Sequence, residues 1–452
     1  MMDWLSILGL DDSKPLPNFG RSVFEADYDK IVFSNAFRRL QDKTQVFPIP
    51  EQDFVHTRLT HSLETSSVGR SLGKEIGSWL ISKNKDVEIL GISVHDIGSI
   101  VGAACLAHDI GNPPFGHSGE EAISEFYRNN TAAHIFLDDL SQGEIEDLTN
   151  FEGNAQGFRL LSAQQNKSLK LSSLTLAAFT KYPRESIAPK DGKRRSQKKF
   201  GVFQSEKEFY NSIGEELSIS SMSDAYTLYA RHPLAFLVEA ADDICYSIID
   251  FEDGCRLGLI SFEDYRDLLA GIIGDRYNQE KLESIATFED KLGVLRAMAI
   301  ARLIEEVVSV FKNNEELILE ASFDKALTDE IPSRDYLMKI SKLSVQNLYQ
   351  CNLVNERECA GFEVINCLLE RFCEPVYKHY VAKQKISAKE KNLIRLIPDY
   401  YRTRLDHNEV NTVYSYLQIL NDFISGLTDT QAIGIYKVLN GLSLSSSLRF
   451  TP

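Results

Sequence analysis

The chain has 452 residues, 43% of them apolar and 25% charged, and carries a formal net charge of −16 at pH 7. This length allows two or three domains, and the composition is that of a globular protein, which excludes collagen-like and broadly disordered classes. The acidic balance argues against a general nucleic-acid coat protein, yet leaves room for a local basic pocket.

Seven cysteines (Cys105, Cys245, Cys255, Cys351, Cys359, Cys367 and Cys373) show no CxxC spacing and sit mostly in apolar helical patterns. They read as reduced core residues of a reducing compartment. The start, Met1-Met2-Asp3-Trp4-Leu5, lacks a charged region followed by a long apolar one, and no later segment has an apolar run of membrane length. The expectation is a cytoplasmic protein that spans no membrane.

In chain order, residues 1–21 carry Pro15 and Pro17 with little periodicity and read as an irregular lead-in. Helical patterning begins near Tyr28 and runs through Gln45, stopping before Pro48. Residues 60–83 form a second helical pattern, with Leu63, Leu72, Ile76 and Leu80 on one side, and 92–107 a third, apolar through Ile100, Val101, Ala104 and Cys105. After a Gly/Pro break, Ser118-Gly119-Glu120-Glu121 has the S-x-x-E form of a capping box. A helix is therefore predicted to start at Ser118 and to place Glu120 in its first turn.

Shorter helices are predicted at 154–164 and 173–180. Between Pro183 and Gly201 the pattern fails, and Lys190, Lys193, Arg194, Arg195, Lys198 and Lys199 crowd into a loop that is open to two readings. One is a solvated surface loop, the commoner meaning for 190–195; the other is a contact to a polyanion, for which Lys199 is the better candidate. His232-Pro233 opens a long helix reaching Gly254, because proline suits the first helical position. From 262 to 442 helical segments alternate with short polar joints, among them 291–312, 336–350, 364–383 and 411–424. With no repeat and no sustained β alternation, the fold reads as all-α: a lead-in over 1–21, a helical core over 22–260, and a C-terminal helical region over 261–452 packed on that core.

Chemistry concentrates in residues 108–120, where the adjacent His108 and Asp109 end an apolar run and a Gly/Pro turn leads to His117 and Glu120. An imidazole and a carboxylate side by side offer nitrogen and oxygen to one divalent cation. His61 opens the helix over 60–83, and Asp242 lies within the one that starts at His232. Three helices meeting around a cation would supply His61, His108, Asp109 and Asp242, a mixed set that suits Mn²⁺, Fe²⁺, Co²⁺ or Mg²⁺ better than a closed structural zinc site. A competing pair, His95-Asp96, precedes His108 by thirteen residues, which turns the two histidines roughly 220° apart on one helix. Only His108 is followed by the Gly/Pro turn and a second histidine. Asp243, about 100° round from Asp242, stays open as a ligand on helical geometry alone. Asp242, Tyr246 and Asp250 recur every four residues and so form one stripe.

These segments resemble the HD-domain deoxynucleoside triphosphate triphosphohydrolases, the dGTPase-like family. The likeness is carried by Phe37-Arg38-Arg39-Leu40-Gln41-Asp42-Lys43-Thr44-Gln45-Val46-Phe47, Arg58-Leu59-Thr60-His61-Ser62-Leu63-Glu64, residues 108–120, Phe151-Glu152-Gly153-Asn154-Ala155-Gln156, Lys181-Tyr182-Pro183 and residues 232–253. A later echo is Asp422-Phe423-Ile424-Ser425-Gly426-Leu427-Thr428-Asp429, where the family more often has Met in place of Leu427. The H…HD…D pattern alone marks only the broad HD phosphohydrolase superfamily; the 108–120 string and the Gln45 segment are specific to this branch. Coverage is good from about residue 20 to 255 and thin afterwards.

The resemblance implies an HD-domain helical fold with a C-terminal helical extension, and a reaction in which water attacks the α-phosphorus of a dNTP to release deoxynucleoside and tripolyphosphate. It makes His61, His108, Asp109 and Asp242 the ligands of one divalent metal, deciding for Asp242 over Asp243. It makes His117 and Glu120 the catalytic pair, with His117 protonating the leaving 5′-oxygen or acting on the water and Glu120 orienting it. Arg58, Lys181 and Lys199 match phosphate contacts, Asn154 and Tyr182 neighbouring substrate contacts, and Gln45, Tyr246 and Asp250 contacts to the deoxyribose. Relatives assemble as tetramers or hexamers, and some respond to dNTP or single-stranded DNA effectors, so the resemblance implies a homo-oligomer and leaves a dNTP or single-stranded DNA effector open. Two other readings are another HD-type nucleotide phosphohydrolase, which would release phosphate or pyrophosphate, and a non-catalytic nucleotide- or nucleic-acid-binding regulator, which would bind dNTP without turnover.

Overall fold

The computed structural model describes residues 2–10, 20–45, 56–130, 133, 136–162, 169–350, 352–407 and 411–442. Within them the chain is all-α, and extended pairing is limited to isolated bridges such as Thr44 with Thr57 and Arg184 with Leu228. The helices that carry the site are labelled in chain order: α1 (Arg58–Lys83), α2 (Val94–Ala107), α3 (His117–Asn129), α4 (Gly153–Leu161), α5 (Pro233–Arg256), α6 (Asn352–Val376), α7 (Val413–Ser425) and α8 (Asp429–Leu439).

Local chemistry explains most of their starts. Thr57 and Thr60 close a reciprocal cap on α1, and Ser93 and Asp96 do the same on α2, which uses Asp96 of the competing His-Asp pair structurally and leaves His95 exposed. Pro233 occupies the first position of α5, and the His232 ring accepts from Leu234 N–H.

The capping box predicted at Ser118 does not form. Helix α3 starts one residue earlier, at His117; its cap is Gly116 at φ +63°, and no side chain accepts there. Phe115 also has positive φ (+65°), so a two-residue left-handed turn sets the helix direction where a hydroxyl was expected to do so.

Other boundaries differ too. The lead-in contains a helical turn, Trp4–Ile7, capped by Asp3 with both end residues buried; Pro15 and Pro17 lie outside the described residues. The next helix is Val23–Val32, earlier than Tyr28, because Ser22 and Glu25 form a capping box. The helix expected through Gln45 is Asn35–Arg39 with a 3₁₀ turn to Asp42, and Val46, Phe47 and Pro48 lie outside the described residues. The helix expected at 336–350 is Arg334–Ser344 closed by a π turn over Val345–Tyr349. That at 364–383 belongs to the longer α6, which passes Pro375 and ends in a π turn over Tyr377–Val381. Proline removes one helical donor and crowds the preceding carbonyl, which a wider turn relieves.

Helices α1 and α2 lie close together because Gly69, Gly73 and Gly77 form a stripe at four-residue spacing on α1. A Cβ on Gly69 would sit 2.3 Å from Cys105 Sγ, and one on Gly73 2.8 Å from the Ile97 carbonyl. That close approach brings the start of α1 beside the end of α2, and α5 packs against both.

Two apolar clusters hold the fold. One joins α1, α2 and α5 through Leu72, Ile100 and Ile244 and continues into Leu295 and Val307 of a later helix; the other joins Phe126, Phe151 and Phe203 to Leu368, Phe372 and Phe423 of the C-terminal region. Between them Asp422, fully buried on α7, accepts from Arg159 Nε (2.8 Å) and Nη2 (3.0 Å), Gln156 Nε2 (2.8 Å) and Arg404 Nη2 (2.8 Å), tying α4 to the chain's last third. Cys105, Cys245, Cys255, Cys359, Cys367 and Cys373 are unpaired, and Cys351 lies outside the described residues. No helix among the described residues is long and apolar enough to cross a membrane.

Candidate active site

His61 lies in the first turn of α1, His108 caps the C-terminus of α2, and Asp242 projects from the middle of α5. One ligand atom from each lies within 4.8 Å of the others, the sole such group among the described residues. Asp242 Oδ1 is 3.2 Å from His61 Nε2 and 3.4 Å from His108 Nε2, and the two imidazoles meet edge-on with centroids 5.2 Å apart. His108 Nδ1 donates to the Cys105 carbonyl (2.6 Å), which leaves the Nε2 lone pair facing the cluster.

Asp109 completes the surroundings. Its Oδ1 accepts from Arg58 Nη1 (2.7 Å) and Asn112 Nδ2 (2.6 Å), while its Oδ2, 3.8 Å from His108 Nε2, is buried with no hydrogen bond among the described residues. A buried carboxylate oxygen without a donor is costly; a cation at the cluster would supply its missing partner. Burial alone would raise the Asp242 and Asp109 carboxyls, but His108 and His61 beside Asp242, and Arg58 beside Asp109, hold both below the usual carboxylate range. Burial would likewise lower the His61 imidazole, and Asp242, Asp109 and Asp250 outweigh it and raise its pKa. The field that favours a proton there equally favours a metal cation. The donor set therefore fits a divalent ion, with two imidazole nitrogens and carboxylate oxygens from Asp242 and Asp109. Asp243 lies on the cavity wall but outside the cluster: its Oδ2 accepts from Thr328 Oγ1 (2.6 Å).

A cavity of about 700 Å³ opens over this cluster. His108, Asp109 and Asp242 line it, as do His117, Glu120, Gln45, Arg58, Asn154, Lys181, Tyr182, Lys199 and Tyr246. Asp250 does not: it is 2% exposed, its Oδ2 accepts from Tyr349 Oη (3.0 Å), and burial raises its carboxyl to about 7. Tyr349 reaches into the cavity beside Tyr246, the two rings stacked at 5.6 Å and 16°.

His117 is exposed, and its imidazole forms no hydrogen bond among the described residues. Glu120 does not pair with it; its Oε1 accepts from Gly153 N–H (2.7 Å), and its Oε2 lies 3.7 Å from Lys199 Nζ. The expected orienting bond from Glu120 to His117 is thus absent among the described residues: the short turn Phe115–Gly116 presents His117 to the cavity, while Glu120, one turn on, holds the Gly153 N–H of α4. Gln45 Oε1 is buried beside the same space, with no hydrogen-bond partner among the described residues.

Each basic residue expected to meet phosphate holds a carboxylate instead: Arg58 holds Asp109, Lys181 Nζ lies 3.3 Å from Glu239, and Lys199 Nζ donates to Glu152 (2.8 Å). Burial would lower the Lys199 ammonium, but Glu120 and Glu152 together raise it. Burial raises Glu152 to about 7, helped by Glu120 and opposed by Lys199.

The basic run is only partly the solvated loop expected. Lys190, Lys193 and Lys198 are exposed, whereas Arg194 pairs with Asp324 (3.0 Å) and Arg195 with Glu239 (2.7 Å). Composition counts the cations in a loop but not the carboxylates that other elements bring to them.

The cavity also takes residues the motifs did not mark: Tyr349, Val354, Arg357 and Glu358, from α6 and the π turn before it. A polar run, Asn355-Glu356-Arg357-Glu358, in an otherwise apolar helical pattern is the sole signal the sequence offers for them.

No family model matches the chain. It is 39% identical to a deoxyguanosinetriphosphate triphosphohydrolase-like protein of Synechocystis sp. over 438 residues, covering 94% of this chain and 95% of the relative. A protein with the same description from Pseudomonas aeruginosa is 35% identical, covering 98% of this chain and all of the relative. A deoxyguanosinetriphosphate triphosphohydrolase of Yersinia enterocolitica is 30% identical, covering 92% and 93%. The chain therefore belongs to the deoxyguanosinetriphosphate triphosphohydrolase-like family of hydrolases.

Proposed function

We propose that this protein hydrolyses a deoxynucleoside triphosphate, dGTP first among candidates from its relatives' names, at the α-phosphorus to give deoxynucleoside and tripolyphosphate. The observation that carries the reading is the convergence of His61, His108 and Asp242 beside the unpartnered Asp109 Oδ2, at the floor of a cavity large enough for a nucleotide. These four residues would hold one divalent cation, which when bound supplies Lewis acidity toward a phosphate oxygen and positions the nucleophile.

Among the described residues the cavity lining carries six basic side chains (Arg58, Lys181, Arg195, Lys198, Lys199, Arg357) and six acidic ones (Asp109, Glu120, Glu239, Asp242, Asp243, Glu358). With walls so balanced, the polyanion enters with its counter-cation, and Arg58, Lys181 and Lys199 exchange carboxylate partners for phosphate oxygens. Arg58 is the residue best placed to do both, since it already touches Asp109. Tyr182 and Asn154 flank the same chain of phosphates.

The His117 imidazole has no hydrogen-bond partner among the described residues and faces the cavity, which suits a group that delivers a proton to the departing 5′-oxygen. Glu120 acts differently from the expected orienting partner: by holding Gly153 N–H and facing Lys199 it fixes the wall opposite His117 and sets the local charge. Tyr246 and Gln45 form the sugar end, with Asp250 behind them holding the Tyr349 hydroxyl. The Tyr246 ring, braced by Tyr349, fills the space beside C2′, and the Asp250–Tyr349 pair and Gln45 Oε1 offer acceptors to the 3′-hydroxyl.

The test is separation of products after incubation with each dNTP and one rNTP in Mg²⁺, Mn²⁺ and Co²⁺ in turn. Deoxynucleoside with intact tripolyphosphate is the expected outcome; phosphate or pyrophosphate as first product would refute the reading.

A further inference from the structure

The joint between α7 and α8 lies behind the cavity and touches both segments that frame it. Arg39 Nη1 donates to the Gly426 carbonyl (3.0 Å), and Lys43 Nζ bridges the carbonyls of Ser425 (2.7 Å) and Asn112 (2.6 Å). The hydroxyls of Thr428 and Thr430 both donate to the Asp42 carboxylate. At the centre is Asp429, whose side chain is 12% exposed.

Its two oxygens divide their work. Oδ2 accepts from Thr44 N (3.2 Å), Thr44 Oγ1 (2.9 Å) and Arg357 Nη2 (2.8 Å), holding the residue next to Gln45 and a residue of the cavity wall. Oδ1 accepts from the backbone N–H of Phe115 (2.9 Å). That residue is the strained one: a bulky side chain at φ +65° is a conformation a free chain avoids. Its ring is received by Gly361 of α6, where an added Cβ would come within 2.8 Å of Phe115 Cβ, and the Arg357 guanidinium lies 6.0 Å from the ring centre. Two residues later comes His117. A turn that the local sequence disfavours is thus held by a carboxylate more than three hundred residues away.

We propose that Asp429 is a positioning residue for the hydrolysis: it keeps Phe115 left-handed, and so aims His117 into the cavity, without itself touching substrate. The proposal rests on the assignment of proton transfer to His117. Removal of the carboxylate charge leaves Phe115 N–H, Thr44 and Arg357 competing for one amide oxygen. Phe115 can then relax to negative φ, which swings the first turn of α3.

The test is Asp429→Asn in the full-length protein, alone and combined with His117→Ala. Misplacement of a catalytic group by about 1 Å lowers turnover on the order of 10- to 100-fold. The expected result is a fall of that size in kcat for Asp429→Asn, with metal affinity and dNTP KM within about threefold of wild type, and no further fall when it is added to His117→Ala, since residues acting through one step are not additive. A purely structural role would lower the rate by the same factor in both backgrounds, and that outcome overturns the proposal, as does wild-type kcat in the single variant. If the variant does not fold, hydrogen exchange of the wild-type Phe115 amide decides: slow exchange supports the bond to Asp429, and exchange at the rate of an open loop overturns it. Wild-type turnover in His117→Ala alone would sink the acid–base assignment itself, and is told apart because it needs no change at Asp429.

Discussion

Asp422→Asn removes one charge from the buried cluster that joins α4 to α7, with little change of volume. Asp422 is fully buried and takes four hydrogen bonds, three of them from the guanidiniums of Arg159 and Arg404. Breaking a buried ion pair from one side costs about 3–5 kcal/mol, because the partner charge stays behind. At about 2.1 cal/mol/K of unfolding entropy per residue, a cooperative unit of 452 residues turns that into a Tm fall of roughly 3–5 °C. Burial would raise the Asp422 carboxyl, but Arg159 and Arg404 hold it below the ordinary value of 3.8. A depressed carboxyl contributes stability that is present above the unfolded pKa and lost as pH falls through the folded one. The Tm gap between wild type and variant should therefore be flat from pH 8 to 5 and close only below about 3.8. Thermal melts of both proteins across that range are the assay. A Tm fall under 1 °C, or a gap that closes near neutrality, would refute the reasoning.

Three substitutions probe the cavity directly. His117→Ala should lower kcat by on the order of 10²–10⁴ while metal and dNTP still bind in calorimetry, the size expected for loss of a general acid. Asp242→Ala should weaken divalent-metal affinity by at least about 100-fold, more than a residue outside the coordination shell would; unchanged affinity would remove Asp242 from the ligand set. Tyr246→Ala should relax selectivity against ribonucleotides by roughly tenfold or more, measured as the ratio of kcat/KM for dGTP and GTP, and an unchanged ratio would make that ring merely structural.

The convergence of His61, His108 and Asp242 was legible because its signals are local: an adjacent His108-Asp109 pair, a histidine just inside a helix start, and an aspartate in an apolar helical stretch. Helical periodicity also located α1, α2 and α5 to within a few residues. What could not be read is where distant chain returns to the site. Phe115 looks like an ordinary apolar residue before a serine cap, yet its left-handed backbone depends on Asp429 and on the absence of a side chain at Gly361. The same limit hid Tyr349 and Arg357, whose helices show no chemical motif, and the acids on α5 and near Asp324 that hold Arg194 and Arg195. The stripe Gly69, Gly73 and Gly77 was open to inspection, since its four-residue spacing is visible in the sequence and explains why two histidines from different helices meet.

The most direct measurement is a single turnover of dGTP in H₂¹⁸O with mass analysis of both products. Attack of water on the α-phosphorus with departure of the 5′-oxygen puts one ¹⁸O in tripolyphosphate and none in deoxyguanosine. Label in the nucleoside, or a first product other than tripolyphosphate, would contradict the chemistry assigned to His117 and the His61–His108–Asp109–Asp242 centre.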